Sequence, residues 1–393
     1  MNLWTSLSAV LRPLSISMIP ILLGVGFFGF LGLSVLCPLL ALPAYYFRRK
    51  KSPEMPRQKS ETNDTSPSIE IFIPAHNEAE RIGPTLASIQ KSIQRLQIRE
   101  LQPGPKIRIR VGADGCTDNT VSVARGFSMV AVTEFSKKCG KWSVLKTLVT
   151  ASTADWVILV DAGTLWTENF FSDLLRQMDS GKTNVMAIAP SYRPLKAGWL
   201  HQILWRLETG LKQMEVFCGG PVSLHGATVA YQTPLLKKAL TSLGNTLWVN
   251  DDVVIPLTLR ALNPEGVILY PVGEVWDAGI KPHQLDLGRR KRLLIGNLQW
   301  VGALLPSCIH RNPVAGMVAG RRLFRVLWAY WFSMIVFGVA LAYHFVVLPT
   351  AATVGVLMVT SGSFRQLSGA ALISLFAPFL IIQAKRQPLG AWK

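Results

Sequence analysis

The chain has 393 residues, of which 49% are hydrophobic and only 16% are charged. This composition excludes an intrinsically disordered protein, because disordered chains have too few apolar residues to form a core. The formal net charge is +18, from 41 Lys and Arg against 23 Asp and Glu. Nucleic-acid-binding modules are also basic, but they carry recognisable motifs, and none occurs in this sequence. We therefore expect no nucleic-acid partner, and the excess positive charge needs another explanation.

Charged residues are absent from long runs at the two ends of the chain. The first run extends from Ile16 to Phe47 and is followed by four basic residues, 48–51. Two further runs, Val326–Leu348 and Leu367–Gln383, also have basic flanks. Each run is long enough for a helix that crosses a bilayer, which takes ~20 residues. The positive-inside rule then predicts a multi-pass protein of the inner or plasma membrane whose central region is cytoplasmic.

These runs divide the chain into four parts. We predict an N-terminal transmembrane segment over residues 1–47, a basic linker over 48–67, a globular domain over 68–320 and a C-terminal transmembrane region over 321–393. The linker is predicted because residues 53–67 are rich in Ser, Pro, Thr and charge, a composition typical of loops.

Within the globular part, short β-branched runs alternate with amphipathic stretches. The predicted strands are Ser68–Pro74, Ile107–Ala113, Ser128–Glu134, Trp156–Asp161 and Asn184–Ala189. The predicted helices are 79–97, one that begins near Thr117, Trp142–Thr150 and Thr167–Met178. Apolar residues recur at helical spacing in the first of these helices. Strands that alternate with helices predict an α/β fold, with a mostly parallel sheet covered by helices on both faces.

Polar residues follow three of these strands at the point where each strand ends. They are His76, Asn77 and Glu78 after the first strand, Asp114 after the second and Asp161 after the fourth. Each has an ordinary structural explanation, since Asn77 or Asp118 can cap a helix and Asp114 can form a turn. Ligands of open α/β sheets bind outside the carboxyl ends of the strands. The three positions together predict a nucleotide-type site.

Several motifs of this central region, taken in chain order, resemble those of glycosyltransferase family 2, whose members are inverting transferases with a GT-A fold. The segment IPAHNEAERI (Ile73–Ile82) is similar to the opening motif of the family, and ADGCTDNT (Ala113–Thr120) is similar to the next one. The resemblance implies that the donor nucleotide contacts Pro74, His76, Asn77, Glu78 and Asp114. GKWSVL (Gly140–Leu145) resembles a Gly-Lys segment, which implies that Lys141 lies near the diphosphate.

VDAGT (Val160–Thr164) occupies the place of the metal motif of the family, usually Asp-x-Asp. The resemblance implies that Asp161 binds Mg²⁺ or Mn²⁺ together with the nucleotide-sugar. The third position is Gly163 instead of Asp, so the ion would depend on one carboxylate, the diphosphate and water. The same departure leaves open a non-catalytic membrane scaffold that retains the fold.

VNDDVVIPLTL (Val249–Leu259) resembles the segment of the family that contains the general base. The resemblance implies that Asp252 is the base, with Asp251 beside it. An inverting transferase needs such a carboxylate to take the proton of the acceptor hydroxyl. In the alternative explanation, Asn250 and Asp251 cap the following helix. An upstream segment similar to the acceptor side of the family implies that His225 lies near the donor sugar.

Two segments have the pattern of amphipathic helices that lie in the headgroup layer of a membrane, although either could be an ordinary surface helix. They are Gly198–Phe217 and Arg289–Trp300. The second stands where membrane-associated family members carry Gln-x-x-Arg-Trp, in a different order. The resemblance implies a diphosphate contact by Arg289 or Arg292.

The sequence therefore predicts a membrane-bound inverting glycosyltransferase of the hexosyltransferase type that acts in the cell envelope. Its donor is expected to be a nucleotide-sugar, with a UDP-sugar favoured, and its acceptor a lipid or lipid-linked glycan. Membrane lipids are expected partners. Three spans would form a poor channel, so a processive exopolysaccharide synthase subunit, with a channel borrowed from membrane partner subunits, is the alternative.

Overall fold

The computed structural model describes residues 67–97, 104–178, 184–195, 199–277 and 287–342, together with residues 18, 20–27, 356, 360, 361, 368 and 375. The predicted linker and most of two predicted spans, Ile16–Phe47 and Leu367–Gln383, lie outside these residues. Within the described residues, no single helix is long and apolar enough to cross a membrane. Two consecutive helices, Arg292–Ala303 and Leu305–Arg311, meet that test together, with a bend of 45° between them. The terminal spans stay a prediction.

Two sheets are formed by the described residues, and the larger has seven strands in the order β3-β2-β1-β4-β8-β6-β9. The smaller has the order β5-β10-β7. The strands are β1 Ser68–Ala75, β2 Lys106–Asp114, β3 Val130–Phe135, β4 Trp156–Val160, β5 Thr164–Trp166, β6 Val185–Ile188, β7 Ser191–Pro194, β8 Thr228–Gln232, β9 Val267–Leu269 and β10 Glu274–Asp277. The five predicted strands are confirmed to within two residues at each end.

The large sheet is mostly parallel, which confirms the prediction. Strands β3, β2, β1 and β4 are parallel, whereas β8 is antiparallel to both β4 and β6. β8 reverses the local direction because it enters the sheet from the edge where β4 ends: Val160 at the end of β4 pairs with Thr228 at the start of β8.

Helices cover both faces of the large sheet, as predicted. They are α1 Ala79–Gln97, α2 Thr120–Arg125, α3 Lys141–Ala151, α4 Phe170–Met178, α5 Trp199–Val216, α6 Thr233–Ser242, α7 Asp251–Leu262, α8 Leu287–Ala303, α9 Leu305–Arg311 and α10 Pro313–Ala342. One hydrophobic core contains buried residues of α1, α2 and α4, and the other contains buried residues of α3, α6 and α7. Trp300 of α8, Leu305 of α9 and Val314 of α10 join the second core.

Two helices begin later than predicted, because the residues before them are engaged elsewhere. The N–H of Thr117 donates to Asn77 Oδ1 at 2.8 Å, so α2 begins only at Thr120. Strand β5 occupies residues 164–166, so α4 begins at Phe170 rather than at the predicted Thr167. Thr117 is hydrogen-bonded to the loop after β1, and β5 pairs with β10. Both contacts join segments that are distant in the sequence, so a local sequence pattern does not predict them.

Replacement of Gly112 by Ala should destabilise the domain, because this glycine of β2 packs directly against α3. A Cβ atom there would lie 3.0 Å from Leu148 Cδ1 and closer still to Val144 Cγ1. Overpacking of this kind costs ~1–3 kcal/mol, which urea unfolding would measure as a lower free energy of unfolding.

The matched control is Gly210→Ala on α5. No other described group lies within 4 Å of its Cβ position, and Ala is more favourable than Gly inside a helix by up to ~1 kcal/mol. Equal stability of the two variants would contradict the packing of β2 against α3.

Candidate active site

The carboxyl ends of β1, β2 and β4 lie side by side, because β1 pairs in parallel with both of its neighbours. The antiparallel β8 begins at the same edge, beside the end of β4. The segment before β8, which contains Gly226, therefore reaches the edge where the loops of the parallel strands emerge. This is the edge at which open α/β sheets bind ligands.

At this edge one ammonium group joins two carboxylates. Lys141 is the first residue of α3, and its Nζ lies 2.7 Å from Asp161 Oδ1 and 2.9 Å from Asp251 Oδ2. Asp161 directly follows β4, and Asp251 is the first residue of α7. Three of the predicted site residues, from separate parts of the chain, thus form one charged cluster.

Burial and charge shift the pKa values in this cluster. Burial opposes the charge on Lys141, but the carboxylates of Asp161 and Asp251 outweigh it and raise the pKa of the ammonium. Burial raises the pKa of the Asp161 carboxyl above its ordinary value; Lys141 opposes this rise and Asp251 reinforces it. Lys141 is consequently a cation at neutral pH, whereas the pKa of Asp161 is raised in spite of its contact with that cation.

Gly226 allows the backbone before β8 to approach the cluster closely. A Cβ atom at this position would lie 3.2 Å from Asp161 Oδ2 and 3.7 Å from both Lys141 Nζ and Asp252 Cβ. The N–H of Leu224 donates to the carbonyl of Asp252 at 2.8 Å, which ties this segment to the start of α7. Asp252, the predicted base, therefore lies beside Asp161 and Lys141.

The start of α7 is held by α8 and by Lys141. Asn250 precedes α7, and its side chain makes no capping hydrogen bond. Its amide instead donates to the carbonyl of Leu293 at 3.2 Å and to Asn297 Oδ1 at 3.1 Å, both on α8. With Asp251 paired to Lys141, the alternative explanation of these residues as ordinary caps is not supported.

The two arginines of α8 are only partly accounted for. Arg292 is half-buried and precedes Leu293, so it lies on the part of α8 that contacts Asn250. The side chain of Arg289 lies outside the described residues. A diphosphate contact by either arginine stays a prediction.

Side-chain hydrogen bonds connect the loops that follow β1 and β2. Asn77, in a left-handed conformation with φ of 54°, accepts the N–H of Thr117. Asp118 Oδ2 accepts the N–H of Ala79 at 3.1 Å, so the first residue of α1 is capped by the neighbouring loop and not by Asn77. A cavity of about 430 Å³ lies over these loops and is lined by residues 77–81, Asp118 and Asn119.

Asp114 positions the segment that leads to Lys141. Its side chain is fully buried, and its carboxylate accepts the N–H groups of Gly140 at 2.8 Å and Cys139 at 2.6 Å. The carbonyl of Asp114 lies 2.6 Å from Nδ1 of His76. These contacts hold the backbone immediately before α3. Direct contact of Asp114 and His76 with the donor base stays a prediction, as it does for Pro74, which is buried in β1.

His225 lies in an aromatic cluster beside the site. Its ring is stacked on Tyr192 with 5.0 Å between centroids and lies 4.5 Å from the ring of Trp205. Its Nε2 is 3.1 Å from Nζ of the buried Lys212. Since His225 directly precedes Gly226, this cluster forms a wall next to Asp161 and Asp252.

Sequence reasoning missed two charged residues at this edge. Arg81 Nη1 lies 3.2 Å from Glu78 Oε2, and Arg81 Nη2 lies 3.7 Å from Asp277 Oδ1. Burial raises the pKa of Glu78, and Arg81 opposes that rise. The sequence could have indicated the ion pair of Arg81 with Glu78, because the two residues are three positions apart at the start of a predicted helix. It contained no such indication for Asp277, because that residue reaches the site only through the pairing of β10 with β5.

Residues 70–239 match the family model described as glycosyl transferase family 2. These residues form a glycosyltransferase family 2 domain. The matched region begins in β1 and ends in α6, so it includes the ends of β1, β2 and β4 and the segment around Gly226. Asp251 and Asp252 lie beyond it.

The glycosyltransferase domain has the GT-A fold. The chain is similar to the mannosyltransferase PcManGT from Pyrobaculum calidifontis, solved in complex with GDP-Man and Mn²⁺, with 18% identity, a TM-score of 0.63 and coverage of 93% of this chain and 99% of that one. A second similar structure is glucosyl-3-phosphoglycerate synthase from Mycobacterium tuberculosis in complex with Mn²⁺, UDP and phosphoglyceric acid, with 20% identity, a TM-score of 0.42 and coverage of 62% and 78%. No curated protein sequence matches the chain.

Asp161 is the one carboxylate in the segment that resembles the metal motif of the family, since Gly163 stands in the third position. Among the described residues, no group of three His, Cys, Asp or Glu side chains could hold a metal ion. A divalent cation at Asp161 would therefore complete its ligands with donor phosphate oxygens and water. That arrangement fits an ion that binds together with the nucleotide.

The variant Asp161→Asn should be at least as stable as the wild type at pH 7.5. A raised pKa means that folded Asp161 binds a proton more tightly than the unfolded chain does, so ionisation of Asp161 lowers wild-type stability as pH rises through that pKa. The advantage of the variant should shrink toward pH 5. Thermal unfolding across this range measures both effects.

Asp173→Asn is the control, because Asp173 pairs with Arg176 on the surface of α4 and lies outside the cluster. A melting temperature of Asp161→Asn below that of the wild type at pH 7.5 would show that the ion pair with Lys141 outweighs the cost of burial.

Proposed function

We propose that this domain transfers a sugar from a nucleotide-sugar, with a UDP-sugar favoured, to a hydroxyl of a lipid or lipid-linked glycan, with inversion at the anomeric carbon. One observation carries the proposal: the cluster of Asp161, Lys141 and Asp251 lies beside Asp252 at the ligand-binding edge of a glycosyltransferase family 2 domain. The reaction needs a positive charge for the leaving diphosphate and a carboxylate that accepts a proton. This edge contains both.

The donor fits along the edge from the cavity to the charged cluster. Its nucleoside would occupy the cavity lined by Asn77 and Glu78, and its diphosphate would follow toward Lys141 and Asp161. We expect Mg²⁺ or Mn²⁺ to bind with the diphosphate at Asp161; when bound, the ion adds positive charge at the leaving group. The structure of PcManGT, which has a similar fold, was determined with GDP-Man and Mn²⁺.

Asp252 is the proposed general base. Asp251 is held by the ammonium of Lys141 at 2.9 Å and is thus already engaged in an ion pair. As the acceptor oxygen forms its bond to the anomeric carbon, its proton passes to Asp252 and the bond from that carbon to the diphosphate oxygen breaks. The nucleoside diphosphate leaves on the opposite side, so one displacement inverts the configuration without a Ser or Cys nucleophile.

Helix α5 supports a membrane-proximal acceptor, because an apolar strip runs along its exposed surface, beside the exposed polar residues Gln202, Arg206 and Gln213. Ile203, Leu207 and Met214 are 45%, 59% and 41% exposed. At about 100° per residue, the three lie within ~40° of one another around the helix. The opposite side is charged and buried, and consists of Glu208, Lys212 and Glu215. Surface helices of globular domains have the reverse arrangement.

An exposed apolar helix face suits the headgroup layer of a membrane. Phe217, directly after α5, is 69% exposed and extends the apolar side. Trp205 of the same helix contacts His225, which precedes Gly226 in the site. A lipid acceptor along α5 would therefore have its head group close to the charged cluster.

The variant Asp252→Asn should lower turnover by a factor of ~10²–10⁴, because the amide cannot take the acceptor proton. The assay offers a panel of nucleotide-sugars to membranes that contain the full chain and identifies lipid products by mass. Donor binding should stay within about twofold of the wild type, since Asp252 acts on the acceptor. Asp173→Asn on the surface of α4 is the matched carboxylate-to-amide control.

Three other outcomes of this assay would each lead to a different conclusion. Unchanged turnover of Asp252→Asn would exclude Asp252 as the base. A long polymer made by the isolated chain would favour the processive synthase. Failure of the wild type to transfer any sugar in the panel would favour a non-catalytic scaffold.

A probe on the apolar side of α5 should contact lipid tails. The full chain carrying Leu207→Cys, labelled with bimane and reconstituted in liposomes, should be quenched by doxyl-labelled lipids several-fold more than the chain carrying Lys238→Cys. Lys238 is an exposed residue of α6, and labelled wild type corrects for the native cysteines. Equal quenching at the two positions would contradict the contact with lipid and favour a partner subunit as the cover of this side.

A further inference from the structure

We propose that Arg81 binds the diphosphate of the donor, and that its positive charge supplies part of the neutralisation that a metal ion held by a second carboxylate would give. This inference rests on the proposed function, because it assumes a nucleotide donor at the edge described above. It adds a binding residue that neither the motif pattern nor the family model assigns.

The guanidinium of Arg81 occupies the space above Gly163. A Cβ atom on Gly163 would lie 2.6 Å from Arg81 Nε and 2.7 Å from Arg81 Cζ, so any side chain there would displace the guanidinium. Gly163 also has a φ of 97°, a conformation that residues with a side chain rarely adopt. The third position of the metal motif therefore presents a fixed cation from α1 in place of a carboxylate.

Carboxylates surround this guanidinium without using all of its donors. Glu78 lies 3.2 Å from Nη1 and Asp277 lies 3.7 Å from Nη2. The Nε atom is buried and makes no hydrogen bond, and the side chain as a whole is 40% exposed. A guanidinium has five N–H donors in a planar fork, which matches the paired oxygens of a phosphate. Arg81 thus has more N–H donors than its two carboxylate partners occupy, on a side chain that is partly exposed.

Arg81 stands between the cavity and the catalytic cluster. It lines the cavity together with Asn77 and Glu78, and its charge also acts on Asp161, where it opposes the rise in pKa. Lys141 lies on another side of Asp161, at 2.7 Å. A nucleotide that enters the cavity and directs its sugar toward the cluster would carry its diphosphate past both cations. Two fixed positive charges match the diphosphate, so part of its binding should need no metal ion.

The test measures nucleotide binding by the full chain in EDTA, by calorimetry, with UDP and GDP as probes and UMP and GMP as their monophosphate counterparts. Whichever of UDP and GDP binds the wild type should bind Arg81→Gln at least tenfold more weakly. The corresponding monophosphate should lose less affinity in the same variant. Arg95→Gln is the matched control, because Arg95 lies on the same helix, is 41% exposed and pairs with Glu168; it should bind like the wild type.

Two further variants keep the test informative if Arg81→Gln does not fold. Arg81→Lys keeps the charge but loses the fork, and should bind the diphosphate more weakly than the wild type. Gly163→Ala leaves Arg81 in the sequence but displaces its guanidinium, and should weaken diphosphate binding as well. Wild-type affinity in the folded Arg81 variants would overturn this inference alone. If the wild type binds neither UDP nor GDP, with or without Mn²⁺, the proposed donor site fails and the inference fails with it.

Discussion

The ammonium of Lys141 is the interaction on which the site depends. Its contacts with Asp161 and Asp251 join the end of a central strand to the start of a helix that lies far away in the sequence. The two carboxylates raise the pKa of the ammonium, which stays charged at neutral pH. The cluster therefore places one positive charge between two acidic side chains at the ligand-binding edge of the sheet.

Several parts of the fold serve to hold this cation and its partners in place. Asp114 is fully buried and binds the backbone immediately before Lys141, so the second strand of the sheet positions the cation. The reversed strand β8 brings Gly226 to the same edge, where the absence of a side chain lets the backbone lie close to both Asp161 and Asp252. Among the described strands of the large sheet, the antiparallel one is thus the strand that leads to this segment of the site.

The distribution of charge links the chemistry to the surroundings of the domain. Arg81 fills the place above Gly163, so a motif that lacks a carboxylate gains a cation instead. Helix α5 departs from convention in a different way, because Glu208, Lys212 and Glu215 are buried while Leu207 is exposed. The first departure lies at Gly163, two residues after Asp161, and the second lies on the helix whose Trp205 contacts His225.

Local patterns in the sequence determined the strands, the order in which they alternate with helices, and the positions of Asp161 and Asp252, because hydrophobic periodicity and short motifs extend over a few consecutive residues. They also pointed to Lys141, but they did not predict its ion pairs with Asp161 and Asp251. Only the tertiary structure decided the reversal of β8, the pairing of Arg81 with Asp277 and the burial of the charged side of α5. These features depend on contacts between segments that are distant in the chain, and a residue type in its local context does not specify which distant group it will meet.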